Sequence, residues 1–124
     1  MFDHVGLPVS DFARSVSFYR AALEPLGYGL ESHDAQARSA GFGRPGAPQL
    51  WLSPGRTGGA LHLAFQTPDR ASVQRFYTSA IEAGGKDNGK PGPRPSYGET
   101  YYAAFVLDPD GHNIEAVCLR PEKG

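Results

Sequence analysis

Three side chains in this 124-residue sequence combine the donor types that divalent first-row metals accept: the imidazoles of His4 and His62 and the carboxylate of Glu115. Alternation along a strand puts His4 on the face of Gly6, opposite Val5 and Leu7. It likewise puts His62 opposite Leu61, Leu63 and Phe65. Glu115 interrupts the apolar run Ile114-Glu115-Ala116-Val117, where a carboxylate is costly to bury unless it is paired or holds a cation. No local ligand-spacing rule joins the three. A lone histidine on a strand is more often a hydrogen-bonded structural residue. Further candidates stand nearby in the chain. Tyr101 and Tyr102 are adjacent, so one hydroxyl faces the core and the other a cavity, and either could move a proton. Trp51, Arg94 and Tyr97 are candidates to line a ligand cleft. The Pro/Gly-rich residues 90–98 read as a lid over it, whereas His33 reads as a solvated loop residue and His112 as an exposed or backbone-capping turn residue.

Two segments carry the helical period that could position these groups. Phe12, Val16, Tyr19, Leu23 and Leu26 follow Ser10 and Asp11 as candidate N-caps. Val73, Phe76, Tyr77, Ala80 and Ile81 follow Asp69 and end at Gly84-Gly85. The remaining apolar runs, 2–9, 28–32, 37–42, 49–53, 61–67, 100–107 and 113–119, read as strands. Glycine and proline mark 41–46, 54–59 and 84–98 as loops. A shift of 58 positions carries His4 onto His62, Asp11 onto Asp69, Phe18-Tyr19 onto Phe76-Tyr77 and Gly27 onto Gly85. Helical period explains matching aromatics, but not matching histidines seven residues ahead of matching aspartates. The chain therefore reads as one α+β domain built by tandem duplication, module one about 1–57 and module two about 58–124. The order is strand–helix–strands, twice, with two small facing sheets.

Composition narrows the partners. A formal net charge of −1 gives no electrostatic reason to expect nucleic acid or an anionic membrane. No apolar run approaches the roughly 20 residues that span a bilayer. One cysteine, Cys118, cannot form an internal disulfide, and the opening residues lack signal-peptide character; the expectation is a cytoplasmic protein.

The segment from His4 to Asp11 with Phe18-Tyr19, the run Leu61-His62-Leu63-Ala64-Phe65, and the closing stretch from Phe105 through Asp108-Pro109-Asp110-Gly111 to Glu115 appear in one order across almost the whole chain. In them the sequence resembles the vicinal-oxygen-chelate superfamily, which includes glyoxalase I, bleomycin-resistance proteins, fosfomycin-resistance enzymes and extradiol dioxygenases. The resemblance implies two tandem β-α-β-β-β modules whose facing, partly open mixed sheets form a cleft. It also implies a divalent metal (Zn, Ni, Mn, Fe or Co) on His4, His62 and Glu115, a small-molecule substrate or ligand, and a homodimer.

Departures from the family's better-known branches matter as much. Glyoxalase I draws a fourth ligand, a glutamate that also shuttles the proton, from the last strand of its first module. Here that strand reads Gln49-Leu50-Trp51-Leu52, and residues 35–68 contain no Asp or Glu. Extradiol dioxygenases add a histidine upstream of the closing turn and a tyrosine after a bulky apolar residue. Residues 86–107 hold no histidine, and Val106 follows Phe105. Neither activity is expected. The resemblance leaves two readings: a metal-dependent lyase or isomerase acting on a small oxygen-rich metabolite or xenobiotic, or a protein that binds a drug or metabolite without chemistry.

Overall fold

The computed structural model describes residues 1–56 and 61–122. Its elements run β1 (Val5–Val9), α1 (Phe12–Leu23), a 3-10 turn (Glu24–Leu26), β2 (Gly29–Asp34), β3 (Ser39–Arg44) and β4 (Ala47–Pro54). Then follow β5 (His62–Gln66), α2 (Arg70–Glu82), β6 (Lys86–Pro93), β7 (Tyr102–Leu107) and β8 (Asn113–Cys118). The boundary expected between 57 and 58 falls outside the described residues.

Both helices start where a carboxylate can satisfy an orphan amide. Asp11 accepts from the Arg14 N–H at 3.1 Å, and Asp69 from the Ser72 N–H at 2.7 Å. Helical period continues to Leu26 in sequence, but Pro25 cannot donate and the chain tightens into the 3-10 turn instead.

The strands form two four-stranded mixed sheets, ordered β1-β4-β3-β2 and β5-β8-β7-β6. Each opens with a parallel pair, β1 with β4 and β5 with β8, and continues antiparallel. One face of each sheet meets the helices: Leu7, Val9, Phe42, Leu50 and Leu52 in the first, Val106, Ile114 and Ala116 in the second, all buried in a single core with both helices. The other face of each sheet is open. This is the two-module α+β arrangement expected from the sequence.

Expectation and structure part at β6. Its sequence, KDNGKPGP, lacks the alternating apolar residues of a half-buried strand, and residues 84–98 read as loop. Yet it pairs with β7 as an edge strand. Edge position explains the composition: proline and glycine are tolerated where one side of the backbone has no partner, and bulges around Gly89 absorb the rest. Likewise β3 runs past the strand expected over 37–42 and on through Gly43 and Arg44, inside the stretch 41–46 that glycine and proline mark as loop.

The modules are latched together near the closing turn. The Tyr19 hydroxyl on α1 donates to Asp108 at 2.5 Å, and Asp108 also accepts from the backbone N–H groups of Asp110 and His112. Ser10 donates from its backbone and hydroxyl to Asp110. Gly85 leaves room for this docking, since a Cβ there would meet the Phe18 ring at 2.7 Å. His112 is buried rather than exposed, its Nδ1 accepting from the Leu61 N–H at 3.1 Å.

Candidate functional site

Register decides which side chains share the open face of the second sheet. His62, Ala64 and Gln66 on β5 stand on that face, and Ala64 pairs with Glu115, which pairs in turn with Phe105 on β7. His62 and Glu115 meet directly, Nε2 to Oε1, at 2.8 Å. The other carboxylate oxygen of Glu115 accepts from the Tyr101 hydroxyl. Glu115 is 1% exposed, and His62 about half exposed. A buried carboxylate is thus held at both oxygens, by an imidazole reaching out to solvent and by a phenol beneath.

That arrangement settles the electrostatics of the phenol. Desolvation, then the hydrogen bond to Glu115 and its charge, push the Tyr101 hydroxyl up to about 12. At neutral pH Tyr101 keeps its proton and donates it to Glu115.

The adjacent Tyr102 lies on the opposite face. It is buried, its hydroxyl accepts from the Gln74 amide at 2.9 Å, and the Arg70 guanidinium stacks on its ring. Of the two tyrosines only Tyr101 reaches the carboxylate.

Arg94 and Tyr97 stand at the rim. The Arg94 guanidinium lies 5.4 Å over the Phe105 ring and donates to the carbonyls of Lys90 and Gly92, so it braces the bulged edge strand. Residues 94–101 close as a turn, with Arg94 N–H bonded to Tyr101 O and Tyr97 N–H to Arg94 O. Tyr97 is exposed and packs edge-on against Tyr101. The segment expected to form a lid is therefore half strand and half hydrogen-bonded turn. Phe105, between the His62 ring and Arg94, was not singled out in the sequence. Its period-two relation to Tyr101 was the available signal.

His4 and Trp51 belong to the first sheet. His4 precedes β1, is largely exposed, and bonds through Nδ1 to Asp3 at 2.8 Å. It lines the same seam between β1 and β5 as His62. Trp51 pairs with Gly6 and Gly41 on the open face. Its ring lies on Gly41, where a Cβ would stand 2.8 Å from it.

Tested against a divalent ion, the residues of one chain supply two donors ready for it, the His62 imidazole and the otherwise costly buried Glu115 carboxylate. His4 is engaged elsewhere, and among the described residues no group of three His, Cys, Asp or Glu is gathered to hold a metal. The pair fits part of a coordination shell.

Comparison with known proteins gives the family. Curated proteins yield no significant match. Among solved structures, a glyoxalase/bleomycin resistance protein from Albidiferax ferrireducens is similar over 98% of this chain and 99% of its own, at 29% identity and a TM-score of 0.79. A glyoxalase I variant from Zea mays matches 94% of this chain over 46% of its own length, at 26% identity and a TM-score of 0.65. A glyoxalase/bleomycin resistance protein/dioxygenase family enzyme from Burkholderia phytofirmans shares the fold at 17% identity, 95% and 98% coverage and a TM-score of 0.70. The family model matches residues 1–116, and the chain belongs to the Glyoxalase/Bleomycin resistance protein/Dioxygenase superfamily.

Proposed function

We propose that this chain is a metal-dependent enzyme of lyase or isomerase type, acting on a small oxygen-rich metabolite or xenobiotic. One observation carries the reading: Glu115, fully buried in an apolar strand, is aimed at the imidazole of His62. Desolvating a carboxylate costs several kcal/mol unless partners or a cation compensate. A divalent ion on His62, Glu115 and His4, when bound, supplies a Lewis acid for a developing oxyanion. The chain's own residues do the rest. Glu115 fixes the orientation of His62. Tyr101 holds Glu115 by donating to its second oxygen and retains its own proton there. Arg94 and Phe105 wall the site on the β6 side, and Tyr97 offers an exposed ring at its rim.

Exposed Phe2, Leu61, Tyr97 and Leu119, together with two open sheet faces, support a homodimer in which a second copy covers apolar surface. Light scattering on the eluting protein should give about twice 13.3 kDa. Cys118 is buried and unpaired, which supports a cytoplasmic site of action. No helix among the described residues is long and apolar enough to cross a membrane.

A second reading, binding without chemistry in the manner of bleomycin-resistance proteins, is favoured by Trp51. It occupies in module one the register position that Glu115 occupies in module two, so an aromatic surface replaces a carboxylate. Metal analysis of protein purified without a histidine tag separates the two. Near-stoichiometric metal supports the enzyme, and its absence supports sequestration. The hemithioacetal of methylglyoxal and glutathione should be a poor substrate in either case, since losing a positioned general base costs on the order of 10²–10⁴-fold.

A further inference from the structure

The inner side of β5 is unfinished. Leu63 and Phe65 point toward the helix layer; Phe65 stays half-buried where its counterpart on β1, Leu7, is 0% exposed, and Leu63 is half-buried like its own counterpart, Val5. Helix α2 lies across β6, β7 and β8. What stands beside Leu63 and Phe65 is a cavity of about 350 Å³ at the seam between the sheets, walled on the other side by Leu23, Tyr28, Phe42 and Leu50. The Tyr28 and Phe65 rings approach to 6.1 Å across the seam. Leu23 and Phe42 are 1% exposed and belong to the core, so this wall is preformed. His4, His62 and Gln49 also line the space.

Size and lining select an occupant. An apolar cavity of about 150 Å³ holds benzene, and ligand pockets begin at roughly 300 Å³. At about 350 Å³ the seam has room for one substituted ring and lies at the small end of that range. Its polar side chains are the His4 and His62 imidazoles, the Gln49 amide and the Asp3 carboxylate, which together can donate to and accept from a hydroxyl. His62 has its Nε2 engaged by Glu115 and His4 its Nδ1 by Asp3, leaving one ring nitrogen of each without a partner among the described residues.

We propose that the seam cavity binds a single-ring aromatic alcohol or phenol, the ring between Phe65 and the Leu23–Phe42 wall and the hydroxyl at the two histidines. As a statement about substrate this rests on the enzyme reading above; as a statement about binding it stands on the cavity.

Benzyl alcohol is a suitable probe, titrated into protein carrying ¹³C-labelled leucine methyl groups. The methyl signals of Leu23, Leu50 and Leu63 should shift saturably. Filling the cavity by Leu63→Phe or, separately, Val5→Phe should weaken binding at least about tenfold, the equivalent of 1.4 kcal/mol. Circular dichroism checks that each variant folds, and either one suffices. Absent methyl shifts, or shifts of equal affinity in a folded filled variant, overturn the proposal. Benzyl alcohol binding in a protein that takes up no metal overturns the metal-enzyme reading and leaves this one standing.

Discussion

The two modules share one backbone plan and differ at two facing positions. In the first, Gly6 pairs with Trp51, and Trp51 with Gly41; in the second, Ala64 pairs with Glu115, and Glu115 with Phe105. On each open face a large aromatic thus sits in the β3/β4 or β7/β8 pair, but on opposite strands. Module one puts the ring on the strand paired to the module's first strand and a glycine beside it. Module two puts the ring one strand further out, and the vacated place holds a carboxylate. Side-chain bulk is kept roughly constant, while the buried carboxylate stands in one half only. Duplication supplies two equivalent surfaces, and only one needs to keep the charged group.

Removing that group should have the largest effect. Glu115→Ala takes away a donor and leaves both His62 and the Tyr101 hydroxyl without their partner, so metal affinity measured by calorimetry should fall by more than the ~10–100-fold expected for an outer partner. If affinity is unchanged, the Glu115 carboxylate is not a metal donor. Tyr101→Phe should cost about 10–100-fold in affinity, because it frees one oxygen of Glu115 without removing the donor. Tyr102→Phe, altering a buried hydroxyl on the other face, should leave metal affinity alone; equal effects of the two would dissolve the assignment of faces.

The bulk exchange is open to a stability test. Gly41→Ala should destabilise by about 1–3 kcal/mol, since the added Cβ collides with the Trp51 ring and with Pro48. Combining it with Trp51→Leu should recover much of that loss, a coupling that urea titration of the four proteins of the cycle would detect. Strict additivity would show that the ring does not rest on Gly41.

The smallest expected difference lies at the helix caps, where the modules are alike. Asp11→Ala and Asp69→Ala should each cost about 1 kcal/mol in thermal or urea unfolding. Hydrogen bonds from the Ser72 backbone and hydroxyl hold the Asp69 carboxyl below its ordinary range. Because its folded value is lowered, that contribution is present above the usual aspartate range and disappears as the pH falls through the lowered value. The Asp69 variant should therefore lose its disadvantage in acid, and a difference from wild type that persists there would remove the carboxylate from the explanation.

Both helices, their caps and the repeat were legible because they rest on local rules: period, capping and the spacing of aspartate before an apolar run. Glu115 was legible for a related reason, as a charge inside an apolar strand. Strand β6 was not, because an edge strand's residues are permitted by a missing neighbour rather than selected by a present one. The partners of Glu115 were half visible. Adjacency placed Tyr101 and Tyr102 on opposite faces, but only the β7–β8 register says which face holds the carboxylate. His4 reads like His62 in the repeat, yet it ends just before β1 with Asp3 as its partner, and Trp51 stands where Glu115 meets His62 in the second module.

The bond between Tyr19 and Asp108 joins residues 89 positions apart, and it has a bearing on how the chain is made. At ~5–20 residues per second, Tyr19 waits roughly 4–18 s before its acceptor has been synthesised. Until residue 85 has been made, α1 can form its backbone bonds, but its Phe18 side lacks the Gly85 surface it docks beside. The first half of the nascent chain lacks its partner surface until then, and slowing translation before residue 108 should increase aggregation or chaperone capture more than slowing it afterwards.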